Sequence, residues 1–161
     1  MNSQILERAH YVPSSVPIDT TGAARAGDWI NMTKYRRILF IIQQGAWAGG
    51  TPALTFQQAT SNAGGSAKAL SYTKKYTGTA LTADTLTEVA VSSDTSNLTN
   101  GANHFTLVEF HVNDLDRANG FYYIQCNVAS PGSNADLISI GAILMDGHVD
   151  AAATRMPTAI V

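Results

Sequence analysis

Three runs of β-branched and aromatic residues, at 104–112, 121–128 and 136–145, fill the second half of the chain and set what it can fold into. The segments between them, NDLDRANG and ASPGSNA, are dense in turn formers. Three neighbouring antiparallel strands are the simplest account. Upstream, KYRRILFIIQQ at 34–44 has basic residues, then a β-branched and aromatic run, then two amides, the pattern of a buried strand with polar ends.

The intervening sequence is read the same way. GAWAGGTP carries Gly45, Gly49, Gly50 and Pro52, so the chain must turn before the alternating run at 53–58, and the two runs together predict a hairpin. TSNAGGSAK is a loop by composition. Residues 67–76 read as strand, with a short helix as the competing state because Ala, Leu and Lys oppose Tyr and Thr. Short strands are expected at 77–81 and 86–91, before the polar loop SSDTSNLTNGAN with its Asn100-Gly101 turn signal.

Short strands with polar turns, no long amphipathic helical pattern and no repeat predict an all-β fold, an antiparallel β-sandwich resembling a jelly roll. A length of 161 residues suits one domain. Residues 1–27, rich in Pro, Ser, Thr, Ala and Gly, read as an extended N-terminal arm, since Pro13 and Pro17 exclude helix or central strand. The sandwich is expected over 28–146, and 147–161 as a second arm.

Charged residues make up only 14% of the chain against roughly 25% in typical soluble domains. Thr, Ser, Asn, Gln and Gly must cover the surface instead, a composition suited to packing against partners. The net charge of −2 and the two small basic clusters, Lys34/Arg36/Arg37 and Lys74/Lys75, do not imply nucleic acid as a partner. Residues 1–10 lack the apolar stretch of a secretory signal, and no segment approaches the roughly 20 apolar residues that span a bilayer. The expectation is a protein made in the cytoplasm, with no membrane partner.

Candidate chemistry is sparse. Asp146, His148 and Asp150 form a DxHxD run whose side chains would share one side of an extended chain, but Gly147 and the preceding strand make a solvated strand end the simpler account. Asp114 and Asp116 receive the same discount. His104 and His111 are an odd number of positions apart and fall on opposite strand faces. Cys126 lies in an apolar run and reads as a buried small hydrophobe, and a single cysteine excludes an intramolecular disulfide. There is no GxSxG elbow, and neither Gly49-Gly50 nor Gly64-Gly65 has the context that cradles phosphate. No enzyme, metal or cofactor is expected.

Surfaces for contact are better supported. Tyr122 and Tyr123 point to opposite strand faces, and the last strand is apolar on both, with Ile138, Ile140 and Leu144 on one and Leu137, Ile143 and Met145 on the other. One face is therefore expected to be covered either by another chain, giving a homo-oligomer, or, for a strand near the centre of the sandwich, by the chain's own arm. Trp47, in a Gly-rich loop, is either a stacking platform for a sugar ring or a cap on the core or on an intersubunit contact. The candidate partner-contact residues are Tyr11, Val12, Pro13, Trp29, Trp47 and Met145.

The segment YVPSSVPIDTTGAARAGDWINMTKYRRILFIIQQGAWAGG, followed by LTFQQAT, AKAL and NADLISIGAILMDGHVD, resembles small virion proteins of tailed bacteriophages, the head decoration or cement proteins. The resemblance covers Val12 to about Asp150 and rests on the run of segments, with no catalytic signature. It implies a β-sandwich on the capsid surface of the virion that bridges major capsid protein subunits, as a trimer or dimer, with no active site. The alternative is a receptor- or glycan-binding module of a phage tail or fibre.

Overall fold

The computed structural model describes residues 8–79 and 85–147. Its strands are β1 (Ala9–Asp19), β2 (Arg25–Ala26), β3 (Ile30–Asn31), β4 (Arg37–Trp47), β5 (Ala53–Ala59), β6 (Lys68–Ala69), β7 (Lys74–Thr79), β8 (Thr87–Ala90), β9 (Thr95–Asn97), β10 (His104–His111), β11 (Tyr123–Val128) and β12 (Asp136–Met145). They form two antiparallel sheets. The larger runs β1-β12-β4-β10-β7-β8; the smaller runs β2-β11-β5-β6, with β3 also on β11 and β9 on β5.

The topology is that of one long antiparallel ribbon rolled up on itself. Its paired arms are β1 with β12, β2 and β3 with β11, β4 with β10, and β5 with β6 and β9. Rolling brings β12 beside β4 and β11 beside β5, which completes both sheets. This winding is a jelly roll, as the pattern of short strands predicts.

Side-chain alternation fills the space between the sheets. On β4, Ile38, Phe40 and Ile42 point inward; on β12, Ile138, Ile140, Ala142 and Leu144; on β11, Ile124, Cys126 and Val128. At the centre, the Phe56 ring lies 4.8 Å from Phe110, 5.1 Å from Tyr72 and 5.2 Å from Phe40, centroid to centroid. The Tyr72 hydroxyl meets Ser96 Oγ at 2.7 Å and donates to Leu54 O at 3.1 Å, so even this polar tip is satisfied inside.

Several expectations about pairing are corrected. β4 and β5 are not a hairpin: β4 pairs with β10 and β12 in the larger sheet, and β5 lies in the smaller one. Gly49 (φ +151°) and Gly50 (φ +88°) take conformations that side chains rarely adopt, and with them the connection passes from one sheet to the other. The three late strands are not neighbours either, because β11 belongs to the smaller sheet while β10 and β12 flank β4. Residues 67–76 divide into the short β6 and the beginning of β7.

The N-terminal arm and the sandwich boundary at 28 also need revision. Residues Ala9–Asp19 are strand, paired with β12 from Ala9–Met145 to Asp19–Leu137 through two register shifts. Pro13 and Pro17 fit because β1 is an edge strand, where a missing N–H costs no ladder bond. Of the C-terminal segment 147–161, only Gly147 is within the described residues.

Asp136 ties three segments together at one end of the sandwich. Its buried Oδ1 accepts from the backbone N–H of Ala48 (3.0 Å) and Gly49 (3.4 Å), and its carbonyl accepts from Thr20 N and Oγ1 (2.9 and 3.0 Å). Replacing Asp136 with Ala is expected to cost about 1 kcal/mol, because Gly49 N–H loses its acceptor while Ala48 N–H keeps Ala135 O. Urea unfolding checks this, and an unchanged midpoint would refute it.

Candidate contact surface

The face of the larger sheet that points away from the core carries an apolar patch, bordered by the hydrogen-bonded pair Gln43 and Ser139. Leu39 and Ile41 on β4, Phe105 and Leu107 on β10, and Ile143 on β12 all lie on it, each only half-buried. Register aligns them in rows across the strands: Tyr11–Ile143–Leu39 in one, Gly141–Ile41–Leu107–Tyr76 in the next. A shallow groove of about 160 Å³ over Gly45 and Leu137 continues the face toward Pro17.

Two glycines flatten this surface. The Tyr11 ring lies over Gly141, where a Cβ would come within 2.8 Å of its hydroxyl oxygen, and the Phe105 ring lies over Gly78, where a Cβ would come within 2.5 Å. Without side chains at these positions, both rings can lie down on the sheet. Charged pairs flank this patch, Arg37 with Glu109 at 3.2 Å and Asp146 at 3.0 Å, and Lys74 with Glu88 at 3.4 Å. The face is therefore broad, low and locally neutral.

The edge next to it is less suited to a partner. An open edge strand invites pairing with another chain, but Pro13 and Pro17 interrupt the row of donors on β1.

The residues singled out from sequence do not gather in one patch. Tyr11, 54% exposed, and Met145, half-buried opposite Ala9 and Arg37, belong to the apolar face. Val12 does not: at 3% exposure it is part of the core, because the neighbouring position on a pleated strand points the other way. Pro13 is exposed on the edge strand. Trp29 is half-buried beside the 60–65 loop, close over Gly64. Trp47 packs against the core, and its indole N–H donates to Asn100 Oδ1 at 2.7 Å.

Leu39, Ile41, Phe105 and Leu107 were missed. Their signal was the unbroken apolar run in ILFII and the apolar positions on both faces of 104–112, which cannot by itself distinguish a covered face from an open one.

The polar candidates have structural partners. His111 Nδ1 accepts from Asn113 N at 3.1 Å, and Asp114 Oδ2 accepts from His111 N at 2.7 Å, closing a capping box on the 3-10 turn Val112–Asp114. Asp116 pairs with Lys68 Nζ at 2.5 Å, and that ammonium helps hold its carboxyl below the usual range. Asp146 is engaged by Arg37, while His148 and Asp150 lie outside the described residues. Among the described residues no three His, Cys, Asp or Glu side chains come together. Cys126 is fully buried, and burial pushes its thiol up, away from the reactive thiolate. Among the described residues no helix is long and apolar enough to cross a membrane.

The sequence matches no model of a known protein family, and no curated protein matches it.

Proposed function

We propose that this chain is a structural virion protein that decorates and cements the capsid of a tailed bacteriophage, sitting on the capsid surface and bridging major capsid protein subunits. The observation that carries this reading is the flattened apolar face built from Leu39, Ile41, Phe105, Leu107 and Ile143. A contiguous apolar surface of this kind marks an interaction site. The resemblance of its segments to head decoration proteins supplies the kind of partner, and the low charge of the chain agrees with a surface made for packing.

A shell also explains how modest contacts suffice. Many identical sites on one particle hold a multivalent protein far more tightly than a single site would. The chain would act as a homo-oligomer, a trimer or a dimer, and would turn over no substrate. The glycan-binding alternative loses its main support, since Trp47 is packed against the core with its N–H committed to Asn100.

Quantitative mass spectrometry of purified particles tests the proposal by comparing copies of this chain with copies of the major shell protein. A comparable copy number is the expected result. A handful per particle would place the chain in the tail, and absence from particles would overturn the reading altogether.

A further inference from the structure

A second surface, distinct from the apolar face, is lined by two arginines with no carboxylate partner among the described residues. At one end of the sandwich a half-open cavity of about 300 Å³ lies between the segment before β4 and the 3-10 turns that follow β10. Met32, Tyr35 and Val112, all buried, contribute its apolar lining. Arg36, His111 and Arg117 line it as well, with no Asp or Glu among the lining residues.

The fold brings these residues to the cavity. The Arg36 backbone is fixed on both sides, its N–H donating to Met145 O at 3.2 Å and its carbonyl accepting from Val112 N at 2.7 Å. Arg117 Nη1 donates to Asn113 Oδ1 at 3.3 Å, which steadies the guanidinium against a second lining residue. His111 accepts an amide N–H at Nδ1, so the proton of the neutral ring sits on Nε2, which remains a donor. The nearest acids are occupied: Asp114 in the capping box with His111, Asp116 with Lys68.

Elsewhere among the described residues Arg37, Lys68 and Lys74 have carboxylate partners, Lys75 is buried with its Nζ donating to Asn97 O, and Arg8, Arg25 and Lys34 form no ion pair. In a chain of net charge −2, two arginines with no carboxylate partner among the described residues converge on one cavity. Guanidinium groups match the geometry of planar and tetrahedral oxyanions, which accept several hydrogen bonds at once.

We propose that this cavity is an oxyanion-binding site that takes a carboxylate or phosphate group between Arg36 and Arg117, with His111 as an additional donor. Its size admits a small organic acid or the end of an acidic side chain. The site is independent of the capsid role and stands or falls without it.

The test is a titration of the purified full-length chain at constant ionic strength, followed by amide and guanidinium NMR shifts. The probes are inorganic phosphate, glutarate and a short glutamate-containing peptide with blocked ends. Saturable shifts at His111, Asn113 and Arg117 are expected with at least one probe, with binding about tenfold weaker in Arg36→Gln and in Arg117→Gln. Arg25→Gln, at the far end of β11 from Tyr122, is expected to bind as the parent does. Tighter binding of the peptide than of glutarate assigns the group to a protein partner, and equal or weaker binding to a free small anion; both support the site. No saturable shift with any probe overturns it, as does equal weakening by Arg25→Gln, which would reduce the effect to net charge. Matching thermal midpoints for the variants establish that the fold is retained.

Discussion

Phe56→Ala is expected to destabilise the domain by about 3–5 kcal/mol, a large part of the 5–15 kcal/mol that holds a typical domain folded. Phe56, on the smaller sheet, is fully buried, and its ring touches Phe40 and Phe110 of the larger sheet and Tyr72 of the crossover between them. Truncation removes the central member of this cluster and leaves a cavity that two hydrogen-bonded sheets cannot close without breaking ladder bonds. Equilibrium unfolding in urea, followed by tryptophan fluorescence, reads the loss directly. A loss below about 1 kcal/mol would mean that the sheets relax into the space, contrary to the rigid packing argued here.

The second large effect concerns attachment and not stability. Ile143→Asp places a carboxylate in the middle of the apolar face, beside Tyr11 and Leu39. In the free protein that face is half-open and the charge stays hydrated; against a partner it would be stripped of water without a counter-ion. Particle occupancy is expected to fall about 100-fold or more, equivalent to about 2.8 kcal/mol per contact. Because Ile143 is half-buried, Leu137→Asp provides a second variant at a position already 39% exposed. Occupancy is measured by incubating undecorated particles with folded variant and separating bound from free protein. If both folded variants decorate particles as well as the parent, the apolar face is not the docking surface.

Much of this architecture was legible locally. Alternation of side chains along a strand is a period-two property of the pleat, so the runs at 34–44, 104–112, 121–128 and 136–145 announced β4, β10, β11 and β12, and their turn-rich separators announced the breaks. Partners were not legible in the same way. Any two apolar strands can pair, and proximity in sequence favoured a β4–β5 hairpin and a β10–β11–β12 meander that the rolled ribbon does not contain. Lys74 and Lys75 show the same limit at the scale of one residue. As a sequence they form a basic cluster, yet on the strand one pairs with Glu88 at the surface and the other is buried beside the core, where desolvation pulls its ammonium down from the usual range.

The contact surface divides along that line too. That the last strand was apolar on both sides could be seen in LISIGAILM; of the contact candidates, Tyr11 is exposed while Val12 is part of the core. The cavity holding Arg36 and Arg117 had no sequence signature, because its two arginines come from segments that meet only when β10 has paired with β4. By itself, then, the sequence determined the strands, their turns and which residues seek cover, since backbone geometry makes these local. The tertiary structure decided which sheet each strand joins, which of two apolar faces becomes the core and which cations are left without acids. Those outcomes depend on closing one rolled ribbon around one set of inward side chains, a condition that no single segment contains.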